Sequence, residues 1–285
     1  MTSTSIAAPT RLLRRVPRNG QLVIALVLFS IFIVLAIAGF FLQGRANSVD
    51  VAQALEGPGV WHWFGTDNQG RDVFARVAVG TGIAMISASV AVIIGGGGGL
   101  IVALACGLGP RWLDALLMRV SEAILAFPQL LLALAITMAL GTGLFTANIG
   151  IIITVIPVFA RTLRAEAIRS RSEPFVEAAT TIGLSTPRIA VRHITPYLST
   201  TLIVQMAANF GNVVLTLAGL SFIGVGAKPP TAEWGAMITD GLQNALTGQW
   251  WIGVAPGIAL VLLVVTVNLM ADQLRARFDK RLTRD

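Results

Sequence analysis

The chain has 285 residues, 55% of them hydrophobic and only 12% charged, with a formal charge of +7. A soluble domain carries roughly twice that charged fraction, and apolar runs longer than about 18 residues recur, which reads as a polytopic membrane protein rather than a soluble enzyme. The basic residues are split among short segments with no interleaved aromatics, which argues against a nucleic-acid-binding face.

Residues 1–20 read as a polar N-terminal tail with Arg11, Arg14, Arg15 and Arg18 and no acid. The first apolar run, 21–42, contains Ala36-Ile37-Ala38, which has the look of a leader cleavage site. The run is too long for a leader's apolar region and reads as an uncleaved anchor helix. A polar loop follows over 43–75. Its stretch "GTDNQGRD" (65–72) lacks the ligand spacing of a calcium loop. It reads as a turn and a capped helix start, with Asp72 at the N-terminus of the next span.

Residues 76–272 form a five-helix core, with apolar blocks at 76–108, 112–141, 143–168, 196–225 and 250–272, and residues 273–285 form a C-terminal tail. The expected fold is all-α, with six transmembrane helices. "IIGGGGGL" (93–100) has no Gly-Lys-Ser/Thr ending, where a lysine would meet phosphates. It reads as small residues that let helices approach in lipid, so the chain is expected to bind no nucleotide. Glu122 falls about ten residues into the third block. At mid-bilayer a carboxylate costs roughly 2.5–3.5 kcal/mol, so it should face protein or water. Gln205, Asn209 and Asn212 are spaced i, i+4, i+7, on one helix face. Asn268 adds an amide in the last block. These amides are either interhelical hydrogen-bonding groups or the wall of a polar passage. His62 and His193 fall on opposite sides of the membrane, so no metal site or catalytic dyad is expected from them, and Ser221 has no histidine base in its helix or the next.

Orientation follows from lysine and arginine placement. The N-terminal tail, the connection after the fourth span (Arg161, Arg164, Arg169, Arg171, Arg188, Arg192) and the C-terminal tail (Arg275, Arg277, Lys280, Arg281, Arg284) are basic. The 43–75 stretch has only Arg45 and Arg71, and the 226–249 stretch only Lys228. Both termini and the 169–195 segment are therefore expected in the cytoplasm.

That segment contains "EPFVEAATTIG" (173–183), a polar island between apolar blocks. Pro174 suits a first helical turn. Phe175, Val176, Ala179 and Ile182 form an apolar stripe, opposite Glu173, Glu177 and Thr181. Gly183 suits a left-handed helix end, and Thr186-Pro187 reads as the cap and first residue of a second short helix. The expected element is a cytoplasmic helical hairpin, one face on its own protein and the other free for a partner. A membrane-surface helix would favour lysines on the polar face instead.

"EAATTIG" followed by "RHITP" (192–196) resembles the EAA loop of ABC importer permeases. With "FGTDNQGRDVFARV", "LMRVSEAILAFPQLLLALAI", "LAGLSFIGVGAKPPTAEWGAMI" and "PGIALVLLVVTVNLMADQLRARFDKRL", the pattern resembles the oligopeptide/dipeptide permease C-type subunits over roughly 60–282. His193 and Thr195 stand where the general EAA pattern has Ile and Leu. The resemblance implies a non-catalytic subunit of an importer in the bacterial plasma (inner) membrane. It implies a homologous second permease, two cytoplasmic ATPases that bind the ATP, and an extracytoplasmic substrate-binding protein. Phe175, Glu177, Ala178, Ala179, Gly183 and Pro196 would then form the ATPase-coupling element, and Gln205, Asn209 and Asn212 would line the path. Oligopeptides or dipeptides are the implied substrates, with a nickel chelate or glutathione as the alternative. A secondary transporter would require internal repeats, and no repeated half is visible.

Overall fold

A computed structural model describes residues 18–282, with side chains over 20–278. The N-terminal tail expected over 1–20 lies outside the described residues apart from its last three. Eleven α-helices make up the described chain, and its only bridge is Thr66 with Asp72.

Helix α1 (Arg18–Phe41) covers the first apolar run and is long and apolar enough to cross a membrane, and the short α2 (Gln43–Asn47) follows it. Helix α3 (Val73–Leu108) has 36 residues, about 54 Å at 1.5 Å per residue, well beyond a hydrocarbon core of about 30 Å. Next come α4 (Arg111–Leu125), α5 (Gln129–Leu140) and α6 (Leu144–Arg169). The hairpin region holds α7 (Pro174–Thr181) and α8 (Thr186–Ile189). Helices α9 (Thr195–Phe222), α10 (Trp234–Ala245) and α11 (Trp251–Leu282) complete the chain. Helix α11 stays helical through most of the segment read as a tail from 273.

The broadest contact is α3 against α6, and α9 packs on both as well as on α11. The glycine run makes this possible. A Cβ at Gly99 would overlap the side chain of Phe159, and its neighbours Gly95 and Gly98 face Val155 and Ile156. With no hydrophobic drive between helices in lipid, such close backbone approach supplies the dispersion contacts that hold them together. Around this seam Ile151, Phe159, Leu163, Leu217 and Leu220 are fully buried. Trp234 of α10 inserts beside them and donates to the Val77 carbonyl at 3.1 Å.

The 43–75 segment is tied down by its charges. Asp72 caps α3 by accepting from the Ala75 N–H at 2.8 Å, as its position before an apolar block implied. The same carboxylate meets Arg45 Nη2 at 2.8 Å and His62 Nδ1 at 2.9 Å. One residue group earlier, Asp67 accepts from Arg71 Nε at 2.7 Å and from the Gln69 and Arg71 amides. These carboxylates, both nearly inaccessible, are therefore paired and fully bonded, which is what makes their burial tolerable.

The third apolar block departs from expectation. It is not one continuous span over 112–141 but the pair α4 and α5, bent by 94°. Pro128 removes a backbone donor and disfavours the helical region for Phe127 before it. The five long apolar helices make six spans only when this pair counts as one. The break also corrects the placement of Glu122. It lies on the charged helix α4, 67% exposed and 3.8 Å from Arg119, not in the middle of a straight span. Asp114 of α4 forms a two-pronged pair with Arg164 of α6, at 2.5 Å on each arm. Arg171 donates to the Gly109 carbonyl at 3.0 Å. Together these fasten α4 to the ends of α3 and α6 next to the hairpin.

Candidate functional site: a helical hairpin leading into an amide-bearing helix

Helix α7 starts with Pro174 in its first turn, where the missing N–H costs nothing. It ends in a full Schellman closure. Gly183 has φ +79°, its N–H bonds the Thr180 carbonyl at 3.0 Å, and the Leu184 N–H bonds the Ala179 carbonyl at 3.1 Å. Both bonds satisfy carbonyls that the helix leaves open, and the positive φ is one that glycine adopts without strain.

Val176 and Ala179 are buried, at 6% and 4% exposure. Phe175 is half-buried and stacks on Tyr197 of α9, with centroids 5.7 Å apart and planes 44° apart. Glu177, Ala178 and Thr181 face outward, whereas Glu173 is half-buried. Two of the candidate residues thus part company: Ala179 belongs to the core and Ala178 to the free face. Ile182 corrects the stripe drawn from spacing. It is 75% exposed because it is the C-cap, with φ −79° and ψ 5°, and helical periodicity has stopped before it.

The second limb also differs. Ser185, not Thr186, is the cap position of α8. The limb is not a separate short helix. It runs through a π-helical turn, Ala190–Ile194, directly into α9, so residues 186–222 form one continuous rod. Pro196 explains the wider turn: it has no N–H to donate, and its ring would crowd the carbonyl one turn back in a regular α-helix. Thr195 donates twice to the Ala190 carbonyl, through its backbone N–H, which closes the π-turn, and through Oγ1 at 3.0 Å. Glu166 of α6 accepts from Thr201 Oγ1 at 2.9 Å, fixing the base of this rod.

Farther along the rod, Gln205 and Asn209 are half-buried and Asn212 is exposed. Asn209 Nδ2 donates to the Gln205 carbonyl at 2.9 Å and to Gln205 Oε1 at 3.3 Å, both on α9 itself. The three amides therefore share a partly open face, as their spacing implied. Asn268 of α11 is exposed close by, next to Gly211.

The profile of the family described as "Binding-protein-dependent transport system inner membrane component" matches residues 95–284, two thirds of the chain, including the hairpin and the amide face. The chain belongs to this family. It is a permease subunit of the ABC transporter type, a membrane component with relatives throughout its length. The dipeptide transport system permease protein DppC of Alkalihalophilus pseudofirmus is 34% identical over 284 residues, covering 98% of this permease and 92% of the relative. A putative peptide transport system permease protein of Brucella abortus is 38% identical over 274 residues, covering 94% and 90%. The glutathione transport system permease protein GsiD of Escherichia coli is 35% identical over 271 residues, covering 94% and 89%.

Three contributors to the site of this permease escaped the sequence reading. Tyr197 is its single tyrosine, one residue after Pro196, and its rarity was the available signal. Val191 is 70% exposed on the second limb, so the hairpin offers apolar side chains, with Ile182, beside its carboxylate. The Asp114–Arg164 pair joins residues 50 apart in sequence, which no local pattern reveals.

Proposed function

We propose that this permease forms half of the path of an ATP-driven importer of short peptides. Its hairpin docks in a groove of a cytoplasmic ATPase, and a homologous permease supplies the other half of the path. The observation that carries the reading is the continuity of the second limb with α9. A displacement of the hairpin by an ATPase moves the helix that bears Gln205, Asn209 and Asn212 as a rigid body. The exposed groups of the hairpin, Glu177, Ala178, Ile182 and Val191, suit an interface with an apolar centre and a charge-assisted rim. The chain itself supplies neither the ATP site nor the hydrolysis. An extracytoplasmic binding protein delivers the substrate, and both termini face the cytoplasm of a bacterial plasma membrane.

Amide side chains donate and accept at once, which matches a peptide backbone. The peptide and dipeptide names of the relatives support that substrate class, and glutathione, itself a peptide, is the second reading on the strength of the GsiD relative. The test is uptake by the reconstituted four-subunit complex with its binding protein. ATP-dependent accumulation of labelled dipeptide is expected, and uptake driven by an ion gradient without ATP would contradict the reading. Cysteines at Gly59 and Thr247 should react with an impermeant reagent from outside and one at Thr181 should not, and the reverse labelling would overturn the orientation.

A further inference from the structure

Between α1 and α11 lies a slot of about 550 Å³, lined by apolar and aromatic side chains that include Phe32, Leu35, Val77, Ala255 and Ala259. Trp63 and Pro58 of the 43–75 segment close one end, together with Trp250. A second cavity of about 340 Å³ beside Arg45 and Trp61 shares Trp63 and Phe74 with the slot. One continuous recess thus runs from an apolar channel, past two aromatic rings 5.0 Å apart, to a guanidinium. Neither the hairpin nor the amide face of α9 contributes to it.

We propose that this recess is a binding site for one membrane phospholipid, with an acyl chain in the slot and the headgroup phosphate at Arg45. The lining decides the first half. A peptide placed in the slot would leave its N–H and C=O groups without partners among apolar walls, whereas a hydrocarbon chain loses nothing. The slot is bounded by the middle of α1 and the first turns of α11, so the surrounding solvent is lipid and a chain enters sideways. The aromatic rim decides the depth. Trp61, Trp63 and Trp250 are 83%, 65% and 57% exposed, and such amphipathic rings settle at the headgroup level.

The charge at the mouth decides the second half. Arg45 is 51% exposed while its partner Asp72 is 3% exposed. Its recorded bonds, to Asp72 and to the Trp61 carbonyl, use Nε and Nη2. The Nη1 hydrogens and the open side of the guanidinium remain for a phosphate oxygen, which arginine binds as a planar fork. Asp72 neutralises part of this charge and His62 faces the same carboxylate, so a phosphate rather than a bulk counterion, held also by its own tail, is the fitting anion. In the orientation proposed above, the 43–75 segment faces outward and the lipid belongs to the outer leaflet; that placement rests on the proposed function, and the cysteine labelling tests it separately.

The experiment uses the assembled transporter in nanodiscs of phosphatidylcholine and phosphatidylglycerol. A phosphatidylglycerol probe with a photoactivatable group midway along one chain is irradiated, and the adducts are mapped by mass spectrometry. Adducts on Leu28, Phe32 and Leu35 of α1 and on Ala255 and Ala259 of α11 should exceed those at Val34 and Ile37 on the outward face several-fold. Filling the slot with A255W, or with A255L where the larger ring prevents assembly, should reduce the slot adducts to the outward-face level. R45Q should lower the slot adducts of the phosphatidylglycerol probe to the level of a phosphate-free diacylglycerol probe with the same photoactivatable chain, and should leave the diacylglycerol adducts unchanged; equal loss of both, or of neither, would remove the phosphate from the site. Equal labelling of both faces of α1 would mean ordinary annular lipid and overturn the proposal. Slot adducts absent from the complex but present on the isolated subunit would mean that the second permease covers the slot, and would overturn it too.

Discussion

The ring of Phe175 leans on Tyr197 at 5.7 Å, so the first limb of the hairpin is fastened to the first turn of α9, the helix into which its second limb continues. Removing this stack should loosen the hairpin while leaving the spans packed. An aromatic pair contributes about 0.5–1.5 kcal/mol beyond its buried area, too little to unfold the permease. F175A is expected to assemble with its partners and to lose much of the transport-linked hydrolysis, and F175Y is expected to restore it. Equal hydrolysis in wild type and F175A would show that the stack plays no part.

Gly183 separates backbone strain from crowding. Its φ is +79°, and a Cβ built there meets nothing within 4 Å. The whole cost of a side chain is thus the left-handed conformation, roughly 1–2 kcal/mol for a residue with a Cβ. G183V should misdirect the second limb and lower uptake, and G183N should be milder because asparagine tolerates this region. G183A separates strain from size: uptake should fall further in G183A than in the bulkier G183N, and the order Gly, Ala, Asn, set by side-chain volume, would contradict this.

Asn209 tests the path. N209L removes two hydrogen bonds within α9 and leaves an apolar patch on the amide face. One hydrogen bond lost to a passing peptide is worth roughly 1 kcal/mol, so peptide uptake at low concentration should fall about five- to tenfold. Complex recovery and basal hydrolysis should remain. Unchanged uptake would leave the amides as groups that bond only their own helix.

Glu233 carries a pH signature. It caps α10 by accepting from the Ala236 N–H at 3.1 Å and is 1% exposed. Burial pushes its carboxyl above the usual glutamate range, and hydrogen bonds from Ser221, Gly235 and Ala236 only partly oppose this. A raised acid keeps its proton in the folded state more tightly than in the unfolded chain. Stability is therefore fully present below the ordinary glutamate range and declines as pH rises from there towards the folded value. Melting curves of the purified complex should show this decline, and E233Q should flatten it. A wild-type stability that rises over the same window would reverse the sign and contradict the assignment.

The readable parts of this fold were those set by neighbours in sequence. Asp72 as a cap, Pro174 in a first turn and Gly183 at a helix end depend on a few adjacent residues, and all stand where the local chemistry put them. The glycine run signalled close packing because small residues allow it, although nothing local names Phe159 as the partner. The misses occur where a local rule ran past its domain. Ile182 was assigned to the apolar stripe by helical spacing, but the helix had already ended. The third block satisfied the length rule for a span, yet Asp114, Arg119 and Glu122 crowd its first half and Pro128 divides it. Thr186 was taken as the cap because Pro187 follows, whereas proline in the second helical position is equally free of a lost bond. The Phe175–Tyr197 stack and the Asp114–Arg164 pair needed the fold before they could be seen.

Glu177 provides the most direct test of coupling. It lies on the free face of α7 and leaves the core untouched, so E177K should insert and pair with the second permease like wild type. A charge-assisted hydrogen bond shielded at an interface is worth roughly 1.5–3 kcal/mol, enough to weaken ATPase association by about ten- to a hundredfold. The measurement is co-purification of the four-subunit complex with ATP hydrolysis read with and without loaded binding protein. The account predicts that E177K loses ATPase subunits or loses stimulation by the loaded binding protein. Full ATPase recovery with normal stimulation would contradict it.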